Sequence, residues 1–306
     1  MTRVLVTGGT GFVGRVLCEH LARSGYTVRV ALRGQHPPPA GVAECTWVGE
    51  IGAATAWEAA LRDVELVVHA AARTHVLHAD PGGAARYVEV NAVGTRRLAQ
   101  AAVAAGVRRF VYLSSIKVNG EATRGRPYTA VDPPAPADDY GRSKLQGETW
   151  LTQTAASGAM QAAILRPPLV YGPGVGANFL RLMRWVDRRR PLPFGAIRNR
   201  RSLVNVWNLA DLIAVLLARP GAVHGVWLVS DGEDCSTPEL IQHLGLALQR
   251  PVRLLAVPVP LLRLAASLSG RGREAARLCD SLAVDAGPTR AALGWRAPVA
   301  MDEALA

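Results

Sequence analysis

Tyr140 and Lys144 are four positions apart, which places both side chains on one face of a helix. A tyrosine with an ordinary pKa of about 10 is a poor base at neutral pH. A neighbouring ammonium group favours the phenolate and lowers the pKa of the tyrosine. The two residues are therefore a candidate acid–base pair that moves a proton to or from a substrate oxygen.

Two serines follow the apolar run Phe110–Leu113, which has the composition of a buried strand. We expect the Ser115 hydroxyl to hold the substrate oxygen beside Tyr140. Ser114 takes this role instead if the register of the strand differs by one residue. A Tyr-x-x-x-Lys pair by itself is common on protein surfaces, so the assignment depends on the rest of the chain.

A glycine-rich loop lies near the N-terminus, between an apolar run at Val4–Thr7 and a helical pattern. Glycines let a chain turn sharply and let its backbone approach a pyrophosphate, while the following helix directs free N–H groups at the anion. The loop therefore predicts a dinucleotide site. At such a site we expect Lys144 to bond to the nicotinamide ribose as well, and Tyr140 to move a proton during hydride transfer. Its candidate residues are Gly8, Gly11, Phe12, Val13 and Gly14.

The end of the next predicted strand, Thr27–Leu32, indicates which dinucleotide binds. NAD sites usually place an acidic residue there, about 20 residues beyond the glycines. This chain has Arg33, whose guanidinium suits a 2′-phosphate. The sequence therefore favours NADP(H), with NAD(H) as the alternative if Arg33 is only a solvated strand end. Further candidates for contact with the cofactor are Glu50, Ile51, Ala70, Ala71, Ala72 and, within a long predicted helix, Asn91.

Strand and helix patterns alternate from residue 1 to about residue 170. Repeated βα units predict an α/β fold, a doubly wound parallel-sheet Rossmann domain with right-handed crossovers. After residue 170 the segments become shorter and richer in proline, which indicates a smaller C-terminal α/β cap that binds substrate. We therefore expect a Rossmann domain over residues 1–170 and a substrate-binding region over residues 171–306, partly interleaved with it.

Composition limits the classes of function. The 306 residues are 49% hydrophobic and carry a net charge of +11, with arginines dense between Arg181 and Arg201. No nucleic-acid recognition motif appears, so we expect a phosphorylated small molecule as partner rather than nucleic acid.

We find no integral membrane segment and no room for a signal peptide. Pro258–Leu268 is amphipathic, although packing within the cap is the favoured interpretation over membrane contact. The four unpaired cysteines predict a reducing cytoplasm.

Other chemistries have weaker support. His75, His78 and Asp80 have loose metal-like spacing without further ligands, so we predict no metal site. There is also no Gly-x-Ser-x-Gly nucleophile elbow.

Together these motifs resemble the extended short-chain dehydrogenase/reductase superfamily, in its nucleotide-sugar epimerase/dehydratase branch. The resemblance covers nearly the whole chain and assigns the roles above to Gly8, Gly11, Gly14, Ser115, Tyr140 and Lys144, with Asn91 as the helix asparagine of the family. Family members commonly dimerise through the helices predicted here at Ala84–Ala105 and Tyr140–Ala156. The resemblance therefore implies a homodimer.

The resemblance also narrows the reaction. The 4,6-dehydratases of this branch carry Thr-Asp-Glu where this chain has Ser115-Ile116-Lys117, so we exclude dehydration. Redox chemistry at C4 of the sugar remains, as a 4-epimerase or a 4-keto reductase. The stretches 114–121, 166–174 and 199–204 resemble enzymes of bacterial surface-polysaccharide (O-antigen, lipopolysaccharide) synthesis that reduce a UDP-linked 4-keto-6-deoxy-HexNAc. The contacts implied by this match are Ser115, Lys117, Asn178, Pro193, Phe194 and Arg201 for the UDP-sugar and Pro167 for the cofactor.

The choice between the two reactions depends on the cofactor. A reductase exchanges its cofactor at each turnover, whereas an epimerase keeps one NAD bound. Arg33 favours NADPH and hence the reductase, with a UDP-glucose or UDP-GlcNAc 4-epimerase as the alternative. Leu169 stands where typical UDP-galactose epimerases have an asparagine. A non-catalytic cofactor-binding protein is a remote alternative, because such a protein is expected to lack Tyr140 or Lys144.

Overall fold

The computed structural model describes residues 1–34, 37–74 and 82–306. Its strands are β1 (Arg3–Thr7), β2 (Thr27–Leu32), β3 (Glu44–Trp47), β4 (Leu66–His69), β5 (Arg109–Leu113), β6 (Gln161–Arg166), β7 (Leu169–Tyr171), β8 (Leu203–Asn205) and β9 (Gly225–Leu228). Its helices are α1 (Phe12–Arg23), α2 (Glu58–Leu61), α3 (Gly83–Val88), α4 (Gly94–Ala104), α5 (Asp139–Ala156), α6 (Ala177–Asp187), α7 (Val206–Ala218), α8 (Thr237–Ala247), α9 (Val259–Leu268), α10 (Gly272–Cys279), α11 (Gly287–Leu293) and α12 (Met301–Leu305).

Seven parallel strands form the central sheet in the order β3-β2-β1-β4-β5-β6-β9. The order reverses between β1 and β4, which opens a crevice at the carboxyl ends of these two strands. Ligands of open α/β sheets bind in such a crevice. The structure thus confirms the predicted doubly wound parallel α/β fold.

Both faces of the sheet are covered, as a parallel sheet requires. Side chains alternate along β1, so that Val4 and Val6 pack on one face together with α1 and α7, whereas Leu5 packs on the other with α4 and α5. All three side chains are fully buried. The apolar runs that predicted these strands are therefore the residues that hold the two helical layers together.

The remaining elements form a smaller assembly with its own core. The short parallel pair of β7 and β8 joins α6, α8 and α12 around Tyr171, Phe179 and Leu240. β9 and α7 also follow residue 170, but both belong to the main sheet and its helical layer. β9 pairs with β6, and α7 packs against α1. The boundary at residue 170 stays a prediction.

Most predicted strands and helices agree with the structure to within one or two residues, and two segments differ in an informative way. The long helix expected at Ala84–Ala105 spans Gly83–Ala104, but it includes a π-helical turn at Glu89–Val93 that the sequence pattern did not indicate. The strand expected at Glu65–Ala71 ends at His69. Beyond it the N–H of Ala71 bonds to the Thr7 hydroxyl at 3.2 Å, so this stretch bends towards β1 instead of extending the strand.

Arg109 at the start of β5 holds the end of α7. Its guanidinium donates to the carbonyl oxygens of Leu216 and Leu217 at 2.8 and 2.7 Å and to Gly221 at 3.2 Å. The carbonyls of Leu216 and Leu217 lie in the last turn of α7, where no further turn supplies N–H partners. The buried arginine therefore fixes α7 to the sheet.

We expect Arg109→Met to lower the free energy of unfolding by about 3 kcal/mol, because it leaves buried carbonyl groups without donors. Urea denaturation measures this change. Arg108→Met is the matched control, because Arg108 is about half exposed and its nearest carboxylate, on Glu65, lies at 3.3 Å. We expect the control to change stability by less than about 0.5 kcal/mol, as for other exposed ion pairs. Equal losses in the two variants would contradict a capping role for Arg109.

Candidate functional site

The glycine loop forms the floor of the crevice between β1 and β4. Gly8 has a φ of 72°, and a Cβ on this residue would lie 2.6 Å from the nitrogen of Ala71. A Cβ on Gly14 would overlap the carbonyl oxygen of Gly8. These contacts require glycine at both positions, since they bring α1 against the ends of both strands.

The first turn of α1 faces the crevice with no side-chain cap. Gly11 precedes the helix without a side-chain hydrogen bond, and the first turn contains no acidic residue. The N–H of Gly11 bonds to the Gly8 carbonyl at 3.0 Å, which fixes the loop. Phe12 and Val13 begin the helix. The positive helix end and the open backbone suit the pyrophosphate of a dinucleotide.

Arg33 and Glu50 lie next to each other beyond the ends of β2 and β3. The Nε of Arg33 is 3.6 Å from Oε1 of Glu50, and both side chains are largely exposed. Ile51 packs closely on Gly94 at the start of α4. The structure thus brings Arg33, Glu50 and Ile51 to one end of the crevice, and it gives the guanidinium a carboxylate partner that strand-end spacing did not reveal.

A buried polar chain that the sequence did not predict lies beneath the crevice. His69 Nδ1 is 2.6 Å from the Thr7 hydroxyl and its Nε2 is 3.0 Å from the Thr95 hydroxyl. Burial, and secondarily the charge of Lys144, lower the pKa of His69 to about 3, so its imidazole is neutral. The chain ties β1, β4 and α4 together. The only signal was a histidine at the end of an apolar run.

Asn91, within the π-helical turn, joins the segment that follows β4 to α5. Its amide nitrogen donates to the Arg73 carbonyl and to the Ser143 hydroxyl, both at 3.0 Å, and its Oδ1 accepts from the Arg73 N–H at 2.8 Å. Its backbone carbonyl accepts from the Tyr112 hydroxyl at 3.1 Å. Asn91, predicted as a cofactor contact, therefore positions the residue next to Lys144.

Ser115, and not Ser114, lies beside Tyr140. Burial raises the pKa of Tyr140 to about 12, and the nearby Ser115 hydroxyl opposes this rise only in part. The Ser114 hydroxyl donates instead to the buried carboxylate of Glu148. Proton removal from Tyr140 at neutral pH therefore needs positive charge nearby.

Lys144 is completely buried. Among the described residues, its Nζ has no hydrogen-bond partner, and it lies 4.0 Å from the ring centroid of Tyr112. Burial lowers the pKa of Lys144 to about 7, although Glu148 acts in the opposite direction. An orphaned ammonium at this place fits ribose hydroxyl groups that a bound dinucleotide would bring. The residues present thus fit the predicted cofactor.

Glu148 and Arg166 form a buried ion pair that holds the Ser115 loop. The Arg166 guanidinium donates to both Glu148 oxygens, at 3.0 and 2.5 Å, and to Asn119 Oδ1 at 3.0 Å. The backbone carbonyl of Pro167 accepts from the Ile116 N–H at 3.0 Å. Pro167, predicted as a cofactor contact, is buried here. A carboxylate one helical turn after Lys144 was the signal that sequence reasoning missed.

Lys117 follows the Ser115 loop, and two carboxylates bind its side chain near the N-terminus of α5. Its Nζ is 2.5 Å from Asp138 Oδ2 and 2.8 Å from Glu121 Oε1. Asp138 also caps α5 by accepting from the Gly141 N–H at 2.7 Å. Lys117 was predicted as a substrate contact. Here it positions the helix turn that carries Tyr140.

The other predicted substrate residues lie in the smaller assembly. Asn178 is exposed on the first turn of α6, where its Oδ1 accepts from Arg181. Phe194, next to Pro193, stacks on Trp185 at 5.9 Å. The Arg201 guanidinium donates to the carbonyls of Arg277 and Asp280 at 2.7 and 3.1 Å, at the end of α10, and burial lowers its pKa. Their contacts with substrate stay predictions.

The remaining predictions concern metal, cysteine and membrane. His75, His78 and Asp80 lie outside the described residues. Within the described ranges no group of three or more His, Cys, Asp or Glu side chains is arranged to hold a metal ion. The four cysteines are free thiols. No helix in the described part of the chain is both long and apolar enough to span a bilayer.

Residues 4–229 match the model of the NAD dependent epimerase/dehydratase family. The chain belongs to this family. The UDP-glucose 4-epimerase of Vibrio cholerae is 44% identical over 306 residues, which cover 98% of this chain and 92% of that protein.

A second relative and a solved structure extend this comparison. The N-acetyl-alpha-D-glucosaminyl-diphospho-ditrans,octacis-undecaprenol 4-epimerase of Escherichia coli O157:H7 is 26% identical over 84% of this chain and 76% of that protein. MoeE5, solved in complex with NAD and UDP-glucuronic acid or UDP-glucose, is 25% identical with a TM-score of 0.78 over 99% of this chain and 96% of its own.

These comparisons confirm the family resemblance and revise two finer predictions. The resemblance to 4-keto reductases is not confirmed, because the relative at 44% identity is named a 4-epimerase. The preference for NADP(H) is not supported, because MoeE5 is solved with NAD. That preference was derived from Arg33 alone, whose charge faces the Glu50 carboxylate in the folded chain.

We expect Gly14→Ala to weaken NAD binding at least about ten-fold, since the added methyl group would push α1 away from Gly8 and distort the pyrophosphate site. Calorimetric titration with NAD measures the change. Gly272→Ala is the matched control, because a Cβ at Gly272 meets no atom within 4 Å. Unchanged NAD affinity in Gly14→Ala would contradict the assigned binding loop.

The buried ammonium of Lys144 predicts a pH dependence of stability. The pKa of an unfolded lysine is about 10.4, and that of folded Lys144 is about 7. Below pH 7 both states hold the proton and its burial penalty is fully present. Above pH 7 only the unfolded chain keeps the proton, so the free energy of unfolding rises with pH up to the unfolded pKa.

We therefore expect Lys144→Met to raise the unfolding free energy of the unliganded protein at pH 7 by about 2 kcal/mol or more and to remove its rise between pH 7 and 10. Urea denaturation over this range tests it. Lys117→Met is the control, because it removes an ammonium that two carboxylates bind and should lower stability without removing the rise. If Lys144→Met is less stable than wild type and its unfolding free energy still rises with pH as in wild type, the inference that Lys144 is a buried charge without partners is wrong.

Proposed function

We propose that the protein is an NAD-dependent 4-epimerase of a UDP-linked hexose or N-acetylhexosamine. The observation that carries this proposal is the placement of Tyr140 and the orphaned ammonium of Lys144 on one face of α5, with the Ser115 hydroxyl beside Tyr140. This arrangement suits proton transfer at a sugar hydroxyl coupled to hydride transfer. Two relatives that carry the name of 4-epimerases support the choice of C4.

The ion pair of Arg33 and Glu50 favours NAD over NADP. A carboxylate close to Arg33 opposes a 2′-phosphate by charge repulsion and offers an acceptor for ribose hydroxyls instead. Glu50 thus supplies the acid that the end of β2 lacks. A firmly held NAD fits an epimerase, which returns the hydride that it removes.

When bound in the crevice, NAD would supply reversible hydride transfer at either face of C4. Tyr140 takes the proton of the 4-hydroxyl group during oxidation and returns it during reduction. Ser115 holds the same oxygen by a hydrogen bond and orients it towards Tyr140. Lys144 bonds to the nicotinamide ribose, and its positive charge favours the phenolate of Tyr140.

The residues after Ser115 disfavour dehydration. Ile116 is only 2% exposed and packs against Leu228 and Val284, so it does not face the site. The ammonium of Lys117 is held by Asp138 and Glu121. Neither side chain offers an acid and base at C5 and C6 of the sugar.

We extend the proposal to the substrate contacts, the oligomeric state and the cellular role that the sequence predicted. Asn178 and Arg201 are the proposed diphosphate contacts, with Pro193 and Phe194 near the uracil. We further propose a homodimer through α4 and α5 and a cytoplasmic location. A role in polysaccharide synthesis belongs to the same proposal.

Purified protein incubated with UDP-glucose or UDP-GlcNAc, without added reductant, should form the 4-epimer, as followed by NMR. Tyr140→Phe should lower kcat by about 100-fold or more, the range typical of a lost acid–base group. Tyr26→Phe is the matched control, because Tyr26 precedes β2 at the amino ends of the strands, and it should retain full activity.

The same preparation tests the cofactor. NAD should raise the melting temperature more than an equal concentration of NADP, because tighter ligands stabilise more. Absence of epimer formation, together with NADPH-dependent reduction of a UDP-4-keto sugar, would contradict the epimerase and restore the reductase.

A further inference from the structure

Helix α9 carries a row of leucines that face solvent. Leu261, Leu264 and Leu268 are 57%, 58% and 83% exposed. Their spacing of three and four residues places them on one side of the helix, and α9 contains no buried residue. We call these three residues the leucine stripe. The sequence had favoured packing within the cap for this segment, and the structure leaves this side unpacked.

Such a stripe differs from the other apolar helices of the fold. α7, which is also strongly apolar, buries eight of its residues against the sheet and the strands beside it. α9 contacts α10 on one side and presents leucine on the other. Contiguous exposed apolar residues of this kind mark surfaces that bind a partner or a membrane.

The surroundings of the leucine stripe are strongly basic. The segments 181–190 and 250–280, which are joined by ion pairs, contain eleven arginines and only three carboxylates. The carboxylates are already paired within this surface, as Arg250–Asp187, Arg181–Glu274 and Arg263–Asp280. The surface as a whole therefore keeps a large positive charge, to which the exposed Arg271 and Arg273 contribute directly after α9.

We propose that the leucine stripe and the arginines beside it form a peripheral docking site for an anionic phospholipid bilayer. An amphipathic helix lies in the plane of the interface with its apolar side among the acyl chains, while basic residues contact the headgroups. The arginines complement the negative surface potential of such a bilayer. A second copy of this chain is a poorer occupant, since a symmetric contact through the stripe would bring the two basic surfaces together.

Docking by α9 also leaves the substrate region in place. α10 packs against α9, and its final carbonyls accept hydrogen bonds from Arg201, the proposed diphosphate contact. The helical pair therefore lies between the bilayer and the smaller assembly. The crevice formed by the carboxyl ends of β1 and β4 belongs to other elements, so docking does not require it to change.

Co-sedimentation of the full-length protein with vesicles of phosphatidylglycerol and phosphatidylethanolamine tests the proposal. Wild type should bind these vesicles, bind pure phosphatidylcholine vesicles at least about ten-fold more weakly, and be released by salt. Leu264→Ser combined with Leu268→Ser should weaken binding at least about ten-fold, because two apolar contacts are lost. Arg271→Glu combined with Arg273→Glu should have a similar effect on anionic vesicles only.

Trp47→Ser is the matched control. Trp47 is a large apolar residue, 60% exposed, on the edge strand β3 at the far end of the sheet, and its loss should leave vesicle binding unchanged. Circular dichroism checks that each variant is folded. The stripe variants should keep wild-type turnover of soluble UDP-sugar, so this test and that of the proposed function have separate readouts.

Three outcomes would overturn the proposal. In the first, wild type does not sediment with anionic vesicles, and in the second the leucine variants bind them as wild type does. In the third, the leucine substitutions would convert a dimer to a monomer in light scattering without changing vesicle binding, and the stripe would then be a contact between copies.

Discussion

The buried ammonium of Lys144 is the constraint around which the crevice is organised. A charge without hydrogen-bond partners is costly in an apolar interior. Neighbouring groups reduce this cost because they favour the protonated form of Lys144. The Tyr112 ring lies 4.0 Å from Nζ and Glu148 is one helical turn away. His69 stays neutral, so no second positive charge is added. The site is therefore poised for a ligand that supplies oxygen acceptors.

Precise placement of that ammonium depends on a local departure from helix geometry. In a regular α-helix the Asn91 carbonyl would be used by the N–H four residues later. The π-helical turn at Glu89–Val93 changes this pattern, and the carbonyl accepts from the hydroxyls of Tyr112 and Thr95. The Asn91 amide then reaches Ser143, next to Lys144. The turn thus joins β5, α4 and α5 around the buried ammonium of Lys144.

Local spacing predicted the parts of the site that a few neighbouring residues define. Gly8 and Gly14 were recognisable because the turn itself needs glycine, through the positive φ of Gly8 and the close approach of Gly14 to it, and Tyr140 and Lys144 because one helix carries both. The pair Glu148–Arg166 and the chain through His69 were not predictable, since each joins residues that are distant in sequence. The same limit explains the NADP preference, because Glu50 lies on a different strand end from Arg33 and its proximity is a property of the folded sheet. Short elements such as β7 and α12 lack the length for a periodic pattern.

The proposal that this protein does not catalyse dehydration rests on packing as well as on residue type. Ile116 lies in a small apolar cluster with Leu228, Leu282 and Val284, and its N–H is used by the Pro167 carbonyl. An aspartate at this position would bury a carboxylate among apolar side chains, which costs several kcal/mol unless the loop moves. A moved loop would carry Ser115 away from Tyr140. In this chain the contact that holds Ser115 beside Tyr140 therefore also keeps position 116 among apolar side chains, where an acid would be buried.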